Sequence, residues 1–91
     1  YMMLHQLEPT DRPCSMVIEA LFEIPKSWAK KKRLAAERND IFPGRPDIDN
    51  VAKIALDSLN GVVFEDDDQV YHLFVDKRYS LEPHLMITVA W

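Results

Sequence analysis

Asp47 and Asp49 stand two residues apart in the run Arg45-Pro46-Asp47-Ile48-Asp49-Asn50, and a second group of acids follows at Asp66-Asp67-Asp68-Gln69-Val70. In an extended stretch, residues i and i+2 point the same way, so Asp47 and Asp49 can present both carboxylates to one point just ahead of a helix. A turn after that helix can return Asp67 or a neighbour to the same place. Unit charges about 4 Å apart at an effective dielectric near 20 repel by roughly 4 kcal/mol, so three converging aspartates call for a cation among them. Hard, all-oxygen ligands favour magnesium, or manganese, over zinc. The purely structural alternative for the pair is a helix N-cap plus a loop acid.

Lys53 lies four residues after Asp49 and four before Asp57, which puts the three on one helical stripe. Two readings are open. One is a surface ladder of ion pairs contributing well under about 1 kcal/mol. The other sets the ammonium beside a metal-bound phosphate, where it stabilises charge building in the transition state.

Other chemistries fail on pattern. A calcium loop starting at Asp47 needs Gly at its sixth position and Glu at its twelfth, and finds Ala52 and Ser58. His5, His72, His84 and Cys14 never occur at paired zinc-ligand spacing. Glycine occurs only at 44 and 61, which excludes phosphate-cradling glycine loops. The lone Cys14 cannot form an internal disulfide; it reads as a small filler thiol and suits a reducing cytoplasm.

The formal net charge of −4 hides a sharp partition. Residues 26–45 hold seven basic side chains (Lys26, Lys30, Lys31, Lys32, Arg33, Arg38, Arg45) against Glu37 and Asp40, whereas residues 47–68 hold seven acids against Lys53 alone. A basic block that grips a polyanion beside an acidic block that binds a cation is the charge layout of a metal-dependent nuclease. Trp28 and Trp91 can stack on bases, with core or interface packing as the alternative.

These groups need elements to position them. The 91 residues make one domain, and no apolar run reaches the roughly 18 residues that a bilayer span requires. So small a core invites self-association. Residues 15–24 alternate in polarity like a half-buried strand closed by Pro25. Ser27 can cap a largely exposed helix over 28–38, and 39–46 reads as a loop. A second helix is expected from Asp49, as its cap, to Leu59, with Val51, Ile54, Ala55 and Leu59 as its buried stripe and Asn60-Gly61 as a left-handed stop. Residues 62–64 start a strand or a bend, and two strands over 70–76 and 85–91 suggest an antiparallel hairpin. The expected class is α+β: a small mixed, mainly antiparallel sheet with helices packed on one face.

The combined motifs, Arg45-Pro-Asp-Ile-Asp-Asn-Val-Ala-Lys, Leu56-Asp-Ser-Leu-Asn-Gly-Val-Val and Asp66-Asp-Asp-Gln-Val, resemble the signature of the RusA-type Holliday junction resolvases, particularly phage and prophage members. Ile24-Pro-Lys-Ser-Trp-Ala-Lys-Lys-Lys-Arg and Lys77 with Tyr79 are also similar to that family. The resemblance implies a homodimeric, magnesium-dependent endonuclease that nicks four-way DNA junctions in recombination and repair. It implies metal ligation by Asp47, Asp49 and Asp67, assistance from Lys53, and a structural role for Asp57. Lys30, Lys31, Lys32, Arg33, Arg45 and Lys77 are the expected DNA contacts. A cytoplasmic, nucleoid-associated place in a bacterial or phage-infected cell follows from it, with no membrane partner. The family's opening strand and basic Gly/Pro/Arg-rich segment are expected to precede Tyr1. A nuclease for other branched DNA, or a non-catalytic DNA- or protein-binding module, are the alternatives.

Overall fold

The computed structural model describes residues 8–91, so His5 lies outside the described residues. The chain order is β1 (Cys14–Glu23), α1 (Lys30–Glu37), α2 (Ile48–Leu59), a 3-10 turn η1 (Asp67–Gln69), β2 (Val70–Ser80) and β3 (His84–Ala90). Two helices and a mixed three-stranded sheet give the small α+β fold expected.

β1 is the central strand, in the order β2-β1-β3. Its period-2 pattern explains the choice: Cys14, Met16, Ile18 and Ala20 are all buried on one side, and burying them requires the middle of the sheet. β1 pairs with β2 in parallel and with β3 in antiparallel register, Ile18 lying between Val75 and Ile87. A parallel partner demands a long crossover, and the helices supply it.

The hairpin expected between the last two strands does not form, because β1 lies between them. Leu81, Glu82 and Pro83 lack the Asn-Gly type of pair that closes a tight hairpin, and the apolar centre of β1 takes the ladder from both sides. β2 also runs four residues beyond the expected stretch, to Ser80.

α2 lays Val51, Ala55 and Leu59 on the buried side of β1, joined by Val63 and Phe64. Ile54, expected in that stripe, is 65% exposed instead. The helix stops where Asn60-Gly61 predicts: Gly61 takes φ 75°, and its N–H donates to Phe64 O at 2.8 Å. α1 begins at Lys30 with Ala29 as its cap, not at Trp28 with Ser27. Trp28 turns aside to meet Tyr79 of β2 edge-on at 5.2 Å, with Lys32 Nζ 4.0 Å from the indole centroid. That packing outweighs the expected cap and starts the helix two residues late. Of the strand or bend expected over 62–64, the chain takes the bend: Val62 and Val63 form a turn, and Phe64 makes isolated bridges to Thr10 and Asn60.

Candidate metal and DNA site

Asp47 occupies the N-cap of α2, but its side chain makes no capping hydrogen bond. The helix starts at Ile48, so Asp49 sits in its first turn and not in an extended stretch with Asp47. Both are exposed, at the positive end of the helix dipole, which favours carboxylates there. Among the described residues, no ion pair or hydrogen bond occupies either carboxylate. The cap expected at Asp49 therefore falls at Asp47 instead, and there by position only.

Asp66 shows what a working cap looks like. Its carboxylate accepts from Asp68 N–H at 3.4 Å, and Gln69 Oε1 accepts from Asp66 N–H at 2.9 Å, closing a capping box around η1. Gln69 Nε2 also donates to Thr10 O and Arg12 O, each at 2.9 Å, stapling the segment before β1 to the turn. Spacing alone could have revealed this role, since Asp-x-x-Gln is a capping-box pattern.

Asp67 follows that cap and is exposed. Its carboxyl is held above the ordinary value of 3.8 by a hydrogen bond with Asp66, then by desolvation and by the negative charge of Asp66, Asp57 and Asp68. The helix acid acting on Asp67 is thus Asp57, not Asp47 or Asp49. Along α2, the eight residues from Asp49 to Asp57 rise about 12 Å. Pro46, the residue before Asp47, lies instead against Lys77, whose ammonium reaches its carbonyl at 2.7 Å, and about 23 Å of strand separates Lys77 from Val70, where β2 begins after η1. Among the described residues, no three His, Cys, Asp or Glu side chains form a ready cation cluster. The expected meeting of Asp67 with Asp47 and Asp49 is not seen; two acidic groups lie toward opposite ends of the exposed stripe of α2.

The donor chemistry nonetheless fits a hard divalent ion. Magnesium is commonly held by one or two carboxylates, with water and substrate phosphate completing its shell, and Asp47 with Asp49 supply such a pair. Lys53 lies between the two acidic groups, exposed. No ion pair within 4.0 Å joins it to Asp49 or Asp57, so the ladder reading of the stripe is not realised.

The raised carboxyl of Asp67, held up first by its hydrogen bond with Asp66 and then by desolvation and neighbouring charge, predicts a pH dependence in chelator. A carboxyl raised on folding favours the fold while protonated, and this contribution is lost as pH rises through the folded-state value. At pH 7 the folded state bears the full repulsion. Asp67→Asn is therefore expected to melt above the wild-type chain at neutral pH, with the gap closing below pH 3.8, measured by circular dichroism. A gap independent of pH rejects the charge as its cause.

The basic block takes shape on α1. Lys30, Lys31 and Lys32 are exposed and Arg33 is half-buried, all in the first half of the helix. Cations at that end oppose the dipole by roughly 0.3–1 kcal/mol each, so folding alone does not favour them there. Arg45 is exposed in the loop before α2. Lys77 is different: it is half-buried, and its ammonium donates to Gly44 O at 3.1 Å and Pro46 O at 2.7 Å. Trp28 is half-buried against Tyr79, the packing role, and Trp91 is 43% exposed. Cys14 is buried and its thiol donates to Arg12 O at 3.3 Å; burial raises its pKa, as for an inert filler.

Residues 1–90 match the sequence profile of a family described as Endodeoxyribonuclease RusA. The chain belongs to the RusA family. A Bacillus subtilis (strain 168) relative, "Uncharacterized protein YqaN", is 39% identical over 80 residues, covering 85% of this chain and 56% of the relative. This RusA-family chain thus spans little more than half the length of that relative. No solved structure matches it. No helix among the described residues is long and apolar enough to cross a membrane.

Proposed function

We propose that this chain is the nuclease core of a metal-dependent endodeoxyribonuclease that cuts branched DNA, four-way junctions foremost. The observation that carries the reading is the pair Asp47 and Asp49: two exposed carboxylates with no hydrogen bond or ion pair among the described residues, at the start of the main core helix, in a family described as endodeoxyribonuclease. Asp47 and Asp49 would hold magnesium, or manganese in its place, with Asp67 as the third ligand that the resemblance assigns. The bound ion would lower the pKa of an attacking water and clamp the scissile phosphate.

The chain's own cations do the rest. Lys53, one turn from Asp49 and without an acidic partner among the described residues, meets charge developing on the phosphate. Lys30, Lys31, Lys32, Arg33 and Arg45 grip the backbone of the arms, positioning them without reading sequence. The place of Lys30, Lys31, Lys32 and Arg33 at the positive end of α1 adds the helix dipole to their own field. Resolving a four-way junction takes nicks in two opposed strands, and a two-fold pair of identical sites matches that substrate's symmetry, so the active form is a homodimer.

The separation of Asp67 from Asp47 and Asp49 favours one rival, a non-catalytic module that binds DNA and uses its acids for folding. Cleavage of junction, flap and linear duplex, compared in one magnesium titration, separates them. Magnesium-dependent nicking of the junction in preference to duplex is the expected result. Stabilisation by magnesium without any cleavage establishes the rival.

A further inference from the structure

We propose that Lys77 is a positioning residue that fixes the carboxylate pair, and not a DNA contact. The inference rests on the metal role proposed for Asp47 and Asp49. Along β2, Leu73, Val75, Lys77 and Tyr79 alternate onto the side of the sheet that carries α2, and Lys77 is paired in register with the buried Ala20. A lysine at a core-facing strand position needs acceptors for its donors, because a desolvated, unpaired ammonium is costly. Among the described residues no acid lies within 4.0 Å of it. Its acceptors are Gly44 O and Pro46 O, and Pro46 directly precedes Asp47.

These two bonds are what orders that loop. Between Asp40, whose N–H reaches back to Ala35 O, and Asp47, whose carbonyl opens the α2 ladder to Val51 N–H, no other hydrogen bond to residues 41–46 is present among the described residues. Pro43 is buried and anchors the middle of the loop by packing alone. A segment otherwise held by packing alone leads straight into the ligand pair, and the ammonium of Lys77 pins its last carbonyls to β2. Outer-shell partners of this kind orient metal ligands, and their loss typically lowers metal affinity about 10–100-fold. A phosphate contact behaves differently: removing one lowers the slope of log affinity against log salt by about one and leaves metal affinity alone.

Paramagnetic broadening of the Asp47 and Asp49 amide signals by manganese gives the metal midpoint without any need for cleavage. For Lys77→Met, amide shifts confined to residues 44–49 and a midpoint raised about tenfold are expected, with the salt slope of junction binding unchanged. Lys77→Arg, which keeps the charge but replaces a compact ammonium by a planar fork, is expected to keep the slope and still raise the midpoint severalfold. A normal midpoint in either variant, or a slope reduced by about one in the methionine variant, overturns the proposal. Should the methionine variant not fold, the arginine midpoint decides alone. Absence of broadening at Asp47 and Asp49 in the wild-type chain removes the metal reading itself, and Lys77's role with it; broadening in wild type that neither substitution shifts removes the role of Lys77 only.

Discussion

Asp49→Asn is expected to lower magnesium-dependent cleavage of a four-way junction by more than about a hundredfold while leaving junction binding intact or tighter. The magnitude follows from comparison: changes to outer-shell partners already cost about 10–100-fold, so neutralising a direct ligand must cost more. Binding is spared because the substitution removes a negative charge that, under the proposed function, would face phosphates, weakening repulsion and not attraction. The fold is spared because Asp49 is exposed and its carboxylate holds no hydrogen bond or ion pair among the described residues. Few acids in this chain are so clean a probe. Asp66 is not, since its carboxylate caps η1. Single-turnover nicking rates and gel-shift affinities measured on the same preparation give both readouts. Cleavage within tenfold of wild type rejects Asp49 as a ligand. The same assay on Asp57→Asn and Asp67→Asn tells whether the second acidic group takes part: a loss for Asp67→Asn comparable to that for Asp49→Asn supports the third ligand, and a loss for Asp57→Asn alone moves that part to the helix.

Features governed by local chemistry were the legible ones. The alternation in β1, the apolar stripe of α2 and the glycine that ends it each depend on neighbours within a few residues, so periodicity and turn chemistry exposed them. Sheet order was not legible, because β1 takes both ladders for reasons of burial that neither β2 nor β3 carries in its own pattern. The late start of α1 was hidden for the same reason, since Trp28 answers to Tyr79, far along the chain. The acids divide likewise: that Asp47 and Asp49 precede a helix is local, whereas whether Asp67 returns to them depends on how α2, about 18 Å long, is bracketed by its two ends. In the structure the helix acid whose charge acts on Asp67 is Asp57, near the far end of α2. Lys77 did carry a readable signal. A lysine in phase with Val75 and Tyr79 has to reach polar partners across a buried face, and those partners turn out to be carbonyls of the loop ahead of Asp47.

Phe64→Ala is the substitution expected to cost the fold most. Phe64 is fully buried beside Cys14, Met16 and Ile18, and truncating a buried phenylalanine typically costs about 3–5 kcal/mol. At 0.05–0.15 kcal/mol per residue, a chain of this size has a total stability of roughly 5–14 kcal/mol, so the loss is a large fraction of it. The site shares the consequence. Phe64 bridges Thr10 and Asn60 in the turn between α2 and η1, and its carbonyl accepts from Gly61 N–H at 2.8 Å. It therefore ties the end of α2, with Asp57, to the turn that presents Asp67. A large fall in the urea midpoint is expected, together with loss of the elevated pKa of Asp67 in any fraction that remains folded, read by carboxyl NMR titration. Phe42→Ala is the control: Phe42 is 59% exposed, and its loss should change stability by no more than about 0.5 kcal/mol. Equal urea midpoints for the two variants contradict the placement of Phe64 at the centre of the core, and with it the account of how η1 is held against α2.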